Sequence, residues 1–298
     1  MAYFVRIYVY ACFALCALFV GDASAGAWTL PQGTVWTKLS YFTQRTDEWY
    51  SAHRQWVAGE VLSPGARTRY AFEGRYDSHA AFLELVYGVR DCLDVGVQVP
   101  YFAQRYVDQT RDRPLSSTGV GDVRGSVKLR LVQRPLVLSA LGAVKAPTGE
   151  YRNVDGLIPV GEGQWDVDLG LSAGRSLWPR ALYINADLGY RFRRANVAVD
   201  RDPGDEWFCS AEAGGRLASR LRMMGKFEML RGGPAREFGG LANRSQIKRI
   251  LYASAVVYFD MDERTALEVG ARISLGGRNY PAGTQWIAAL TRDWRRTE

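Results

Sequence analysis

Apolar and polar side chains alternate along Gly119–Val132, and from Asp122 onward the polar set is mostly charged: Asp122, Arg124, Ser126, Lys128 and Arg130. Successive side chains of a strand point to opposite faces, so this segment predicts a strand with one apolar face and one charged face. The pattern recurs along the chain. Apolar residues make up 47% of it, yet mean hydropathy is −0.18 because they are dispersed rather than run together. A soluble sandwich would bury the apolar faces in a core. Behind a secretory leader, a dozen such strands point instead to an all-β, up-and-down antiparallel transmembrane β-barrel of outer-membrane type, with apolar residues toward lipid and polar ones toward a lumen.

The leader is read from three features. Arg6 supplies the positive n-region, Ile7 to Val20 the apolar run, and Ala23-Ser24-Ala25 an A-x-A cleavage site. The run is shorter than the ~18 residues that span a bilayer. Residues 1–25 are therefore expected to be removed, leaving 26–298 as one barrel domain with 26–33 as a periplasmic or plug segment. Cys12 and Cys16 leave with the leader, and the remaining Cys92 and Cys209 do not indicate a disulfide framework. The net charge of +7 and pI near 9.3 are spread through the chain without a nucleic-acid motif. Such a surface suits anionic lipid headgroups, so membrane lipid is an expected partner and nucleic acid is not.

Twelve strands are expected, at 34–45, 68–88, 92–107, 120–132, 135–147, 164–176, 180–193, 205–217, 220–231, 246–260, 263–276 and 284–294. Long and short links alternate between them, as in a barrel with tight periplasmic turns, longer outer loops and both ends in the periplasm. Each strand is long enough for a tilted crossing, which needs about 9–11 residues. Aromatics at Trp36, Tyr41, Tyr101, Trp165, Tyr190, Trp207, Tyr258, Trp286 and Trp294 fall near strand ends, where interfacial girdles belong. Strands 34–45, 135–147 and 284–294 alternate less cleanly, the last carrying Arg292 on its apolar face.

Several short motifs resemble a known family. Tyr87-Gly88-Val89-Arg90-Asp91-Cys92-Leu93 runs on to Val99-Pro100-Tyr101. It is followed by Gly119-Val120-Gly121-Asp122, Pro147-Thr148-Gly149, Gly161-Glu162-Gly163-Gln164-Trp165-Asp166 and Asp205-Glu206-Trp207. In this order the set resembles the outer-membrane transporter-like proteins linked to the meta-pathway of phenol degradation. The resemblance implies location in the bacterial outer membrane, insertion by the outer-membrane assembly machinery, and passage of a small-molecule solute, aromatic or apolar. The charged tail Arg295 to Glu298 departs from the family's usual aromatic strand terminus.

Motifs for catalysis are thin, and no enzyme activity, cofactor or metal is assigned. His79 follows Ser78 directly, so the two point to opposite faces of one strand and cannot activate a hydroxyl together. Asp166 and Asp168 share a face and could serve acid/base work or hold Ca²⁺. Pairing with Arg or Lys on neighbouring strands is the preferred reading. Gly161-x-Gly163 has no following helix and is no phosphate cradle.

The lumen is the remaining candidate site. Its expected substrate path comprises Asp94, Arg124, Lys128, Asp166, Asp168, Asp187, Arg191, Glu212, Lys226, Glu228, Glu268 and Arg272. Inward acids and bases nearly balance, which predicts cross-strand ion pairs bracing a narrow bore. The first reading is a channel for small, aromatic or apolar molecules. A second is a structural or adhesive barrel using Trp49, Tyr50 and Trp56 of the loop 46–67 as binding residues. A third is a soluble exported β-sandwich binding protein.

Overall fold

The structure is a computed structural model that describes residues 26–294 except 58, 111, 153–158 and 238–240, and omits the side chains of 55, 57, 237 and 245. The expected leader and the charged tail 295–298 lie outside the described residues.

Twelve long strands form the wall: β1 (Val35–Thr46), β2 (Arg75–Arg90), β3 (Leu93–Val107), β4 (Arg124–Val132), β5 (Val137–Lys145), β6 (Asp166–Ser176), β7 (Leu182–Arg193), β8 (Glu206–Ala218), β9 (Leu221–Gly232), β10 (Arg249–Asp260), β11 (Thr265–Arg278) and β12 (Thr284–Trp294). Each pairs antiparallel with the next, and β1 also pairs with β12, Val35 opposite Trp294, which closes the barrel. Closure gives each of the twelve strands a partner on both sides, so backbone groups of the wall bond to neighbouring strands rather than to water. Links of a few residues join the strands at the end where β1 begins and β12 ends; that end is periplasmic and the long loops are extracellular.

The alternation does in the fold what it predicts from sequence. Leu39, Leu83, Val97, Leu129, Leu169, Leu188, Val269 and Leu290 point outward and are exposed. A soluble protein does not leave such a belt uncovered, so the apolar faces meet lipid and the exported-sandwich reading falls. Above and below the belt stand exposed Tyr41, Tyr101, Trp165, Trp207, Trp286 and Trp294. Arg292, the exception on the outer face of β12, lies with its guanidinium carbon 4.5 Å from the Trp294 ring centroid and donates to Thr265 Oγ1. It sits at the periplasmic girdle, where a cation on an aromatic face is tolerated.

Three expectations need correction. Trp36 and Tyr258 are not girdle residues: they line the lumen, because each occupies an inward position of its strand. The strand expected at 68–88 starts only at Arg75, since Phe72 and Glu73 take positive φ in a turn that a regular strand cannot continue through. The strand expected at 120–132 is split. Leu115–Val120 extends the wall along the upper part of β3, Tyr101 opposite Val120, and β4 resumes at Arg124 opposite Gln98.

The break at residues 121–123 is a joint between the wall and the loop 146–165. The Asp122 carboxylate accepts the backbone N–H of Gly149 at 3.0 Å and of Glu162 at 2.9 Å. Thr148 Oγ1 donates to the carbonyl of Gly121 and accepts from the N–H of Val123. A Cβ on Gly149 would stand 2.9 Å from Gly121 Cα, and one on Gly161 2.5 Å from the Gly149 carbonyl carbon, so the three backbones cross where only glycine fits. The Gly-Asp, Pro-Thr-Gly and Gly-x-Gly motifs, separate in sequence, thus meet at one place.

Candidate translocation lumen

Inward positions on adjacent strands fall in register, and at the extracellular end the register sets acid opposite base. Lys145 faces Asp166, Asp166 faces Arg193, Asp168 faces Arg191, and Arg191 faces Glu206. Side chains follow. Asp166, fully buried, lies 2.7 Å from Lys145 Nζ; the Arg191 fork takes Asp168 at 2.8 and 3.0 Å, and its other nitrogen takes Glu206 at 2.9 Å. Arg124 pairs with Asp168 from β4. Asp166 and Asp168 are therefore each held by cations of neighbouring strands, an arrangement that braces the wall and leaves neither carboxylate free for metal or proton chemistry.

Glu162 closes this network from the loop. Its carboxylate meets Arg193 at 2.6 Å, Lys248 at 3.2 Å and Lys145. Burial alone would raise its pKa, but Lys248, Arg193 and Lys145 together hold the carboxyl well below the usual carboxylate range.

At mid-height the groups change. Asp187 accepts from Ser210 Oγ at 2.7 Å, from Ser172 Oγ, and from Asn185 Nδ2 at 3.3 Å. Glu212 stands opposite Lys226, whose Nζ lies 3.3 Å from Glu228; Arg272 reaches the other oxygen of Glu228 at 3.1 Å. The Arg272 guanidinium carbon also lies 3.9 Å from the Tyr252 ring centroid. On the periplasmic side Lys38 pairs with Glu268 at 2.7 Å.

Residues 26–33 run as a strap through this level. Lys128 Nζ donates to the carbonyls of Gly26 and Trp28 at 2.7 and 3.1 Å, and Asn185 Oδ1 accepts the N–H of Ala27 at 2.9 Å. Asp94 accepts from the N–H of Leu30, Asp91 from that of Gln32, and Gly33 N–H bonds the carbonyl of Gly88. Ala27 is fully buried, and Trp28 packs edge-on against Tyr183 with centroids 6.0 Å apart.

Two cavities meet at the strap. The larger, about 910 Å³, runs from the periplasmic rim at Asp262 and Arg264 up to Arg124 and Asp168, and the smaller, about 600 Å³, lies toward the extracellular end; Gly26, Lys128, Asp187 and Lys226 border both. Asp94, Arg124, Asp168, Glu212 and Glu268 line only the first, and Arg191, Glu228 and Arg272 only the second. Asp166 is sealed behind Lys145 and Arg193 and borders neither. The expected path lacks the aromatic part of the lining: Trp36 and Tyr258 read as girdle residues, and Trp28, Tyr183, Phe208 and Tyr252 are not singled out by the sequence. The strict inward parity of Trp36 with Lys38 was the available signal.

The three loop residues part company. Trp49 stacks on Tyr70 at 5.9 Å, and Trp56, on a small hairpin, is 73% exposed. Tyr50 is not presented outward as expected: it is buried against Ile250, Tyr252 and Ala282, and its hydroxyl donates to the Ser274 carbonyl at 3.1 Å. The loop folds back over the mouth because its own apolar residues find cover there. His79 lies on the outer face, 2.6 Å from the Tyr41 hydroxyl, while Ser78 lies on the other.

Among solved structures, the crystal structure of the COG4313 outer membrane channel from Pseudomonas putida F1 matches with a TM-score of 0.71 at 19% identity, covering 92% of this chain and 99% of that one. The translocator domain of autotransporter NalP from Neisseria meningitidis follows at 0.49 and 7% identity, with 88% and 89% covered. The CymD monoaromatic hydrocarbon channel gives 0.46 at 8% identity, with 90% of each chain covered. No curated protein matches the sequence. The first of these shows the fold, that of a bacterial outer-membrane barrel. Residues 64–289 match the family model described as "Putative MetA-pathway of phenol degradation", and the chain belongs to that family.

Proposed function

We propose that this barrel is an outer-membrane channel for small molecules, aromatic ones foremost, with the strap 26–33 as its gate. The observation that carries the reading is the meeting of two cavities in the lumen at Gly26 and Asp187, beside the strap. A solute moving from one cavity to the other passes the strap. The lining supports an aromatic solute: rings of Tyr252, Tyr258 and Phe208 alternate with the cations of Arg272, Arg222 and Arg191, which lie 3.9, 5.1 and 5.7 Å from the respective ring centroids. A flat ring can slide between such faces while a hydroxyl or carboxylate exchanges partners along the ion pairs. Near-balance of the lumen charges argues against a one-signed field selecting simple ions. The family's description supports the same class of solute.

In this reading the leader 1–25 exports the chain and is removed after Ala25, and the assembly machinery inserts the barrel from the periplasm. Chemistry plays no part in it. Uptake by vesicles carrying the protein, with a panel of phenols, aromatic acids, hydrocarbons and non-aromatic acids of matched size, tests it. Aromatic solutes should enter faster than their matched counterparts. Absence of any protein-dependent flux, both in the wild type and in a variant lacking residues 27–32, would refute the channel.

A further inference from the structure

On the outer surface of the wall two arginines stand side by side. The register sets Arg231 of β9 directly opposite Arg249 of β10, with Trp207 of β8 beside Arg231 and Arg278 of β11 beside Arg249. Their direction follows from parity. Leu230 and Ile250 pack inward against the Tyr50 cluster, so Arg231 and Arg249 face out, and both are exposed. One step toward the membrane the same face carries Met229 and Leu251, opposite each other and exposed to lipid. Trp207, 53% exposed in the same row, marks the height as that of the outer girdle, where lipid headgroups begin.

Like charges directly opposite on a sheet destabilise it unless something neutralises them. Arg278 is engaged elsewhere, donating to the carbonyls of Ala52 and Arg244. Among the described residues the guanidinium groups of Arg231 and Arg249 have neither an ion pair nor a hydrogen bond. The rim over β1–β3 shows the contrast: there Asp77 stands between Arg45 and Arg105 in register, 3.4 Å from Arg45 and 3.7 Å from Arg75. One rim row thus carries its own acid and the other does not.

We infer that Arg231 and Arg249 clamp a phosphate of an outer-leaflet lipid, its acyl chains lying along Met229 and Leu251 and its sugar or glycerol headgroup against Trp207. Two planar forks on adjacent strands, about 4.8 Å apart, present their donors to one tetrahedral anion. A free phosphate would have no reason to settle above an apolar face, whereas a phospholipid or phosphorylated glycolipid brings its phosphate to that height.

The test is titration of the folded full-length barrel in detergent with bisphosphorylated lipid A, bound lipid being counted by native mass spectrometry. Replacing both residues, Arg231→Gln with Arg249→Gln, should weaken binding about tenfold or more, since each near-surface cation contributes a comparable attraction to anionic lipid. Arg45→Gln with Arg105→Gln should leave it unchanged. Dephosphorylated lipid A should bind the wild type as poorly as the first variant binds the phosphorylated form. Equal affinity of the first variant and wild type, indifference to the lipid phosphate, or displacement by equimolar inorganic phosphate would overturn the assignment. A wild-type dimer that the same substitutions dissociate would overturn it in favour of a second copy. Unheated gel mobility verifies folding; should the glutamine pair not fold, Arg231→Lys with Arg249→Lys keeps the charge, loses the fork, and should bind severalfold more weakly than wild type.

Discussion

The ammonium of Lys128 stands 2.7 Å from the carbonyl oxygen of Gly26, so a side chain of β4 holds the first described residue of the strap where the two cavities meet. That bond and its companion to Trp28 tie the strap to β4, three strands round the wall from β1, into which the strap leads. Lys128→Met keeps the volume and removes both bonds. The strap should then spend more time detached, raising small-solute flux severalfold with little change in barrel stability. Flux through vesicles, read beside the unfolding midpoint, checks both halves; unchanged flux would show that the strap does not limit passage.

Gly174, on β6 two strands from β4, tests the same strap. A Cβ there would lie 2.6 Å from the Trp28 ring. Gly174→Ala should displace the indole, and the change should appear as increased quenching of Trp28 fluorescence by a water-soluble quencher in a variant where the other tryptophans near the lumen are replaced. An unchanged indole environment would mean that the ring repacks without leaving Tyr183.

Much of this architecture is legible in the sequence, because each strand obeys one period and that period alone decides which residues meet lipid. Asp166, Asp168 and Arg191 read inward and are inward for that reason. Where residue type and period disagree, the period decides. Trp36 and Tyr258 were misread as girdle because an aromatic near a strand end fits both a lipid interface and a lumen mouth, and only the parity of their neighbours separates the two. Tyr50 was misread because loop residues have no period at all; its burial depends on the loop folding back onto Tyr252, a contact between segments some 200 positions apart. Likewise the pairing of Asp122 with Gly149 and Glu162 needs the break in the wall at 121–123, which a clean alternation conceals.

Asp168 is shared by Arg124 and Arg191, so removing its charge leaves two guanidinium groups facing the bore. Asp168→Asn should shift selectivity toward anions, and because Arg191 keeps Glu206, the loss of stability should stay at about 3 kcal/mol or less. Reversal potentials in a salt gradient measure the shift. A shift toward cations would mean that the freed arginines turn away from the conducting path.

Acid should loosen the loop 146–165 through Glu162, and the sign follows from its lowered pKa. A carboxyl held below its unfolded value of 4.5 stabilises the fold fully above that value and stops doing so as pH falls through the folded value. The difference in unfolding midpoint between wild type and Glu162→Gln should therefore be constant from neutral pH to about pH 5 and shrink below it. A difference that already fades between pH 7 and 5 would place the carboxyl outside the Lys145, Arg193 and Lys248 cluster.

Adjacent residues 187 and 188 give the strictest test of the wall's facing. Leu188 is 55% exposed on the lipid side, opposite Leu171 and Cys209, whereas Asp187 points inward to Ser172 and Ser210. Leu188→Arg would place a cation in hydrocarbon near the middle of β7, costing about 2–4 kcal/mol at the bilayer midplane. Asp187→Arg faces the lumen, where water and the acids Glu212 and Glu228 are within the same cavities, so it should cost less while blocking or redirecting flux at the strap. Reversible unfolding of both variants in lipid vesicles ranks the two. Equal losses would mean that the belt at this height is not in hydrocarbon, and the reverse order would mean that the register of β7 is off by one residue, which would invert every facing assignment drawn from its pairs with β6 and β8.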